Sequence, residues 1–220
     1  MENRLQELLL ATNVKLDPCV RGQLVWYLEE MLRWNRSINL TAIKDPLEAL
    51  EKHLVDSLTL VPLLQGNELL LDMGSGAGLP GIPLKIAWPA LRVLSVDSVH
   101  KKIVFQQHVV RSLALHGFEA KSCRIESLAA EPVFKYAFDV VTARALTHLS
   151  QLIEMAEPFL VGGGKLLAMK GPEGDKELEE SASIMEACGI KVEEITRIKL
   201  PLSQAERTII ALKRNNLGSA

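Results

Sequence analysis

Three alternating glycines close behind a short apolar run constrain this chain more than any other feature. Leu69-Leu70-Leu71 leads into Asp72-Met73-Gly74-Ser75-Gly76-Ala77-Gly78-Leu79-Pro80-Gly81-Ile82-Pro83. The apolar run reads as a buried strand, and the periodicity after the glycines reads as a helix. Glycines at a strand-to-helix turn let the backbone bend sharply and approach a ligand closely. In an open α/β sheet, ligands bind beyond the carboxyl ends of the strands, near the point where strand order reverses. The loop from Asp72 to Gly81 is therefore the candidate ligand site.

The rest of the chain fits that frame. Val93-Leu94-Ser95-Val96 ends at Asp97. A third strand is expected from Glu119 to Arg124, a fourth at Phe138-Asp139-Val140-Val141 and a fifth at Lys165-Leu166-Leu167-Ala168-Met169. Helical patterns run from Val99 to Leu115 and from Leu149 to Leu160. Strands alternating with helices predict a mostly parallel sheet covered on both faces. Lys191 to Leu200 and Arg207 to Lys213 have no helix between them and predict a terminal antiparallel hairpin. The expected architecture is an α/β, Rossmann-like, seven-stranded sheet.

Upstream of Gly66 no strand-like alternation occurs. Leu5, Leu8 and Leu9 begin one helical stripe. Asp17-Pro18 signals the start of a second, with apolar residues Leu24, Val25, Tyr27, Leu28, Met31 and Leu32 at spacings of three and four. A third helical stretch runs from about Pro46 to Leu60. The organisation expected is a helical extension over 1–66, a ligand-binding core over 67–214 and a tail over 215–220.

Bulk properties exclude several classes. Lys and Arg number 25 and Asp and Glu 27 among 220 residues, a net charge of −2, so any nucleic-acid surface must be local. No apolar run nears the roughly 18 residues of a membrane span. Cys19, Cys123 and Cys188 form no C-x-x-C pair, so no zinc or redox site is expected and the thiols read as reduced, in a cytoplasmic protein. No metal site is predicted.

Two ligands compete for the loop. Gly76, Gly78 and Gly81 match a dinucleotide G-x-G-x-x-G, and Asp97 lies 19 residues beyond Gly78. That reading implies an NAD(P)-dependent oxidoreductase. Against it, Pro80 and Pro83 lack the N–H groups a pyrophosphate needs. The glycines also begin four residues beyond Asp72, late for that turn, and Asp72 would repel phosphates. S-adenosylmethionine carries a sulfonium and an ammonium but no phosphate, so a carboxylate nearby favours it. The loop thus predicts an S-adenosylmethionine site, with Asp97 either accepting from the ribose hydroxyls or capping the next helix. The turn at Ile125-Glu126 would edge the adenine, Ile125 packing on the ring and Glu126 meeting its amino edge, or else be a solvated turn.

Several blocks resemble one family, that of ribosomal RNA small subunit methyltransferase G (once called glucose-inhibited division protein B). They are the L-D-x-G-x-G-x-G-L-P-G-I-P-L run, Trp34-Asn35, Ile38-Asn39-Leu40-Thr41, and His53-Leu54-Val55-Asp56-Ser57-Leu58. Asp97-Ser98 with Lys101-Lys102, Ala143-Arg144-Ala145 and Lys170-Gly171 also match, so the likeness runs from about Leu24 to Lys213. Met73 and Ala77 depart from the usual residues. The resemblance implies methylation of guanine N7 in the decoding-region loop of bacterial 16S ribosomal RNA, free or in the small ribosomal subunit, by a monomer. It implies cofactor contacts at Gly74, Leu79, Ile125, Glu126 and Arg144. An enzyme with a small-molecule or protein substrate is the competing methyltransferase reading.

The chemistry accords with N7. Thr142-Ala143-Arg144-Ala145 lacks the Asp/Asn-Pro-Pro-aromatic motif of exocyclic-amine methylation, and a C5 reaction needs a cysteine nucleophile. Cys123 is expected inside the third strand and Cys188 at a helix end, both poorly placed. Guanine N7 carries an in-plane lone pair and needs no general base. Arg144 is the residue expected near the reacting centre, paired with a cofactor carboxylate, an RNA phosphate or guanine O6, or else locked in a structural ion pair. Lys170 is a weaker candidate. His53 and Asp56 are one helical turn apart and read as a pair bracing the extension. Asn35, Asn39 and Thr41 either approach the substrate or cap helix ends. Arg33, Arg36, Lys44, Lys101, Lys102, Arg111 and Arg124 are candidate RNA contacts.

Overall fold

A computed structural model describes residues 1–216; residues 217–220 of the expected tail lie outside the described residues. Seven strands form one sheet: β1 (Leu69–Met73), β2 (Arg92–Asp97), β3 (Phe118–Ser122), β4 (Phe138–Arg144), β5 (Leu160–Lys170), β6 (Ile190–Lys199) and β7 (Glu206–Arg214), in the order β3-β2-β1-β4-β5-β7-β6. The first five pair in parallel. β7 is antiparallel to both β5 and β6, so the terminal hairpin expected from the sequence is present. Strand order reverses between β1 and β4, and the glycine loop leaves the sheet there.

Successive residues of a strand face opposite sides of the sheet, and the central strands are apolar on both. Leu70, Val93, Val140, Leu167 and Ile209 point to one face. There they join Leu24, Tyr27, Leu28 and Met31 of α2 (Pro18–Ile38), Leu5 of α1 (Glu2–Ala11), and residues of α5 (Gly81–Ala87) and α6 (His100–Ser112) in one apolar cluster. Leu71, Leu94, Val96, Val141 and Ile210 face the other side, against α7 (Ile125–Ala129) and α8 (Leu149–Ala156). Leu5, Leu24, Leu28 and Met31 are fully buried, each stabilising the assembly by about 2 kcal/mol relative to exposure. No helix among the described residues is long and apolar enough to cross a membrane.

The helix expected to run to Leu160 stops at Ala156, and Leu160 already opens β5. Three further boundaries differ from those expected. β3 ends at Ser122, so Cys123 and Arg124 lie beyond the strand, not within it. Ile125 and Glu126 open α7 and are not in a bare turn. The stretch after Pro46 is not one α-helix: α3 (Pro46–Ala49) gives way to a π-helical segment (Leu50–Val55) and then to α4 (Asp56–Leu58). A π-helical turn accommodates one extra residue per turn, which apolar periodicity alone does not reveal.

Candidate active site

Strand register assembles the site. Met73 pairs with Val96 on one side and with Ala143 on the other. The next residues, Gly74, Asp97 and Arg144, therefore emerge at one level on three adjacent strands. Gly74, Gly76 and Gly78 have φ of 66°, 59° and 96°, a left-handed backbone that favours glycine. A Cβ on Gly74 would stand 2.5 Å from Cδ1 of Leu146, the tip of an exposed side chain that can turn aside, so the left-handed backbone is what calls for glycine there.

The loop is held from three directions. Gln106 on α6, fully buried, accepts from Ser95 Oγ at 2.7 Å and donates to Ser75 Oγ and the Gly76 carbonyl, both at 2.8 Å. Tyr27 on α2 donates its hydroxyl to the Ala77 carbonyl at 2.9 Å. Beneath the loop, Asp72 Oδ2 accepts from Gly81 N–H at 2.9 Å. Tyr27 and Gln106 escaped the sequence reading, because one looks like part of an apolar stripe and the other like an ordinary helix residue.

Asp72 is fully buried, while its Oδ1 has no partner among the described residues. Desolvation pushes its pKa up to about 7; the Gly81 hydrogen bond and the Arg144 charge pull the other way. The carboxylate lies under the loop and does not line the cleft in front of it.

Asp97 does line that cleft. Its Oδ2 accepts from Gly76 N–H and its Oδ1 from Val99 N–H, both at 2.8 Å, while Lys102 Nζ stands 4.0 Å away. One carboxylate thus fixes the loop and braces the start of α6, and each oxygen keeps a lone pair for another donor.

The cleft has a volume of about 550 Å³. It brings together Gly74, Asp97, Ile125 and Glu126 with Cys123, Lys102, Leu146 and Met155. Gly76, Gly78 and Leu79 shape the loop without lining the cleft. Cys123, expected within β3, is at its wall; burial pushes its thiol pKa up, which disfavours the nucleophilic thiolate. A larger groove, bordered by Glu68, Asp139 and Gly162, lies at the opposite end of the strands and away from the loop.

Arg144 is the last residue of β4, not a loop residue after it, and Ala145 follows with a φ of 48°. Its Nη1 donates to the Lys52 carbonyl at 2.7 Å and lies 3.3 Å from Asp56 Oδ2. His53 and Asp56 do not pair with each other as expected. His53 Nε2 meets Thr41 Oγ1 at 2.9 Å, and burial followed by the Arg144 charge lowers its pKa to about 4. Asp56 turns to Arg144 and Arg207 instead. Asn35 Oδ1 accepts from Thr41 N–H at 2.9 Å, and Asn39, φ 49°, ends α2. Lys170 is buried, 2.7 Å from Glu177 and donating to the Thr147 carbonyl at 2.5 Å, and does not line the cleft.

The dinucleotide alternative loses its anchor. Gly81 N–H is committed to Asp72 and Ile82 N–H to the Gly78 carbonyl, and Pro83 has no N–H. The first turn of α5 offers no free donor to a pyrophosphate.

The seven-stranded order with its antiparallel hairpin is the fold of class I methyltransferases. M. jannaschii TYW2, solved in complex with AdoMet, aligns with a TM-score of 0.62 and 13% identity, covering 83% of this chain and 80% of that one. Geranyl diphosphate C-methyltransferase from Streptomyces coelicolor A3(2), solved with S-adenosyl-L-homocysteine, aligns with a TM-score of 0.60 and 15% identity, covering 86% of this chain and 98% of that one. Identities this low speak to the fold alone.

Sequence gives the family. A family model described as rRNA small subunit methyltransferase G matches residues 21–210. The ribosomal RNA small subunit methyltransferase G of Syntrophotalea carbinolica is 62% identical over 214 residues, covering 97% of this chain and 98% of that protein. The chain belongs to the rRNA small subunit methyltransferase G family, a family of methyltransferase enzymes.

Proposed function

We propose that the protein transfers a methyl group from S-adenosylmethionine to N7 of a guanine in the decoding-region loop of 16S ribosomal RNA. The observation that carries this reading is the shared level of Gly74, Asp97 and Arg144 on three adjacent strands, in a chain of this family. Gly74 would face the cofactor, on a loop whose path Gly76, Gly78 and Leu79 set from behind. Asp97 would accept from its ribose with the lone pairs left after Gly76 and Val99. Ile125 would pack on the adenine beside Glu126. Asp72 acts from below, as the strut under Gly81.

S-adenosylmethionine supplies an electrophilic methyl group on a sulfonium. The residues around the cleft need only orient the base and exclude water, since N7 presents a lone pair without losing a proton. Arg144 offers donors to an oxyanion or to guanine O6. Cys123, its thiol pKa raised by burial, is not poised for the covalent step of pyrimidine C5 methylation. On the substrate side would stand Asn39, which borders a groove with Asn35, Arg36 and Lys44, and Lys170, which is tied to Glu177. We also infer that residues 1–66 act as an extension on a methyltransferase core of 67–214, and that the protein works as a monomer in the cytoplasm.

The test is methyl transfer from labelled S-adenosylmethionine to 16S RNA or small subunits lacking the modification. N7-methylguanosine should appear at one site in the decoding region and fall at least tenfold with Asp97→Ala. A label on an exocyclic amine, or on no RNA base, would refute the assignment.

A further inference from the structure

The Arg144 guanidinium is held by an arrangement that the residues of the cofactor cleft do not explain. Its two partners both come from the π-helical region, 88 and 92 residues away in sequence. The amides closing the π-helical segment bond to the carbonyls of Glu51 and His53. The Lys52 carbonyl between them is passed over by the helix, and it is this oxygen that accepts from Arg144 Nη1 at 2.7 Å. A regular α-helix would have consumed it.

Asp56 completes the grip. Its side chain is only 4% exposed, with Oδ2 3.3 Å from Arg144 Nη1 and Oδ1 accepting from Arg207 Nε at 3.0 Å. Arg207, at the start of β7, pins the far side of the carboxylate. Nearby, Glu51 anchors the β6–β7 connection by accepting from Leu202 and Ser203 N–H. The π-helical segment is thereby tied to β7 and to the β6–β7 connection through Asp56 and Glu51, which flank Lys52 in sequence.

We infer that Asp56, braced by Arg207 and assisted by the freed Lys52 carbonyl, is a positioning residue for Arg144. Both acceptors among the described residues engage Nη1, so the Nε and Nη2 edge is left for an oxyanion, to which it presents a two-pronged donor. Two guanidiniums share one carboxylate, which leaves a net positive charge for that oxyanion, the carboxylate of the cofactor or a phosphate of the RNA. This inference rests on the reading of Arg144 as a site residue under the proposed function.

A double-mutant cycle tests it on the full chain. Asp56→Asn, Arg144→Gln and the double variant are compared for S-adenosylmethionine affinity by calorimetry, for kcat and RNA KM, and for melting temperature. Misplacing a positioned group typically costs about 10- to 100-fold. Asp56→Asn should lose about that much in the same parameter as Arg144→Gln, and the double variant should fall no more than about threefold below Arg144→Gln. A loss in cofactor affinity identifies the cofactor carboxylate as the oxyanion, and a loss in RNA KM identifies an RNA phosphate. Arg207→Gln, at a more exposed position, should give a smaller loss in that same parameter and serves if Asp56→Asn does not fold. Multiplying losses in the double variant, or a lower melting temperature with unchanged kinetics and affinity, would overturn the inference. Wild-type behaviour of Arg144→Gln would instead overturn the reading of Arg144 itself.

Discussion

Replacing Asp72 by asparagine should reverse the usual effect of removing a charge from a folded protein, and the reversal should depend on pH. Asp72 has a native pKa of about 7, raised first by desolvation, against 3.8 as the reference value. Because the native value is the higher one, its contribution is fully present below pH 3.8 and is lost as pH rises through 7. At 1.36 kcal/mol per pH unit, the full loss is about 4 kcal/mol, of which roughly 3 kcal/mol falls between pH 5 and 8. The asparagine side chain would keep an acceptor for Gly81 N–H but place an amide where Oδ1 now lacks a partner, a constant cost of about 1–3 kcal/mol. The stability of Asp72→Asn relative to wild type should therefore improve by about 3 kcal/mol from pH 5 to 8.

The difference matters because His53 slopes the other way. Its native pKa, lowered to about 4, lies below its reference value of 6.5, so its contribution is present above 6.5 and lost as pH falls toward 4. It appears in both proteins and cancels in the comparison. Urea unfolding at half-unit steps from pH 5 to 8 reads the result directly. A difference that stays flat to within about 0.5 kcal/mol would show that Asp72 is not a desolvated carboxylate.

Two further outcomes follow from the loop and the groove. Tyr27→Phe removes the hydroxyl bond to the Ala77 carbonyl; stability should fall by about 1 kcal/mol, and titration calorimetry should show weaker S-adenosylmethionine binding. Arg36 and Lys44 are exposed beside the groove bordered by Asn35 and Asn39. Changing both to glutamine should lower the salt slope of RNA binding by about 0.7–0.9 per lost phosphate contact and leave cofactor affinity unchanged; an unaltered slope would remove them from the RNA interface.

The sheet was legible because its central strands are short, doubly buried apolar runs: Leu69 to Leu71, Val93 to Val96 and Lys165 to Met169 all fall within observed strands. The end of β3 has no such signal, because Lys121, Ser122, Cys123 and Arg124 carry no apolar alternation to mark where pairing stops. The glycine loop declared itself through conformational need, whereas its supports did not. Tyr27 and Gln106 reach Ala77 and Gly76 from 50 and 30 residues away, and one hydroxyl or amide in a helix has no periodic signature. Arg144 came only from resemblance, since a lone arginine at a strand end looks like any solvated charge. The direction in which Asp72 points was beyond reach for another reason. A strand residue's face follows from register, but whether its carboxylate emerges or tucks under a loop depends on where Gly81 N–H lies.

The sheet order also sets a timetable. Among the described residues β6 pairs with β7 and with no other strand, and β7 separates it from β5. As a nascent chain emerges from its amino end, β2 to β5 can each dock beside a strand already made. β6 cannot: its place in the sheet exists only once the following strand has been made and has turned back between it and β5. Until then a charged, ten-residue segment waits unpaired. The same strand that admits it delivers Arg207, so closing the sheet and completing the grip on Asp56 are one late event.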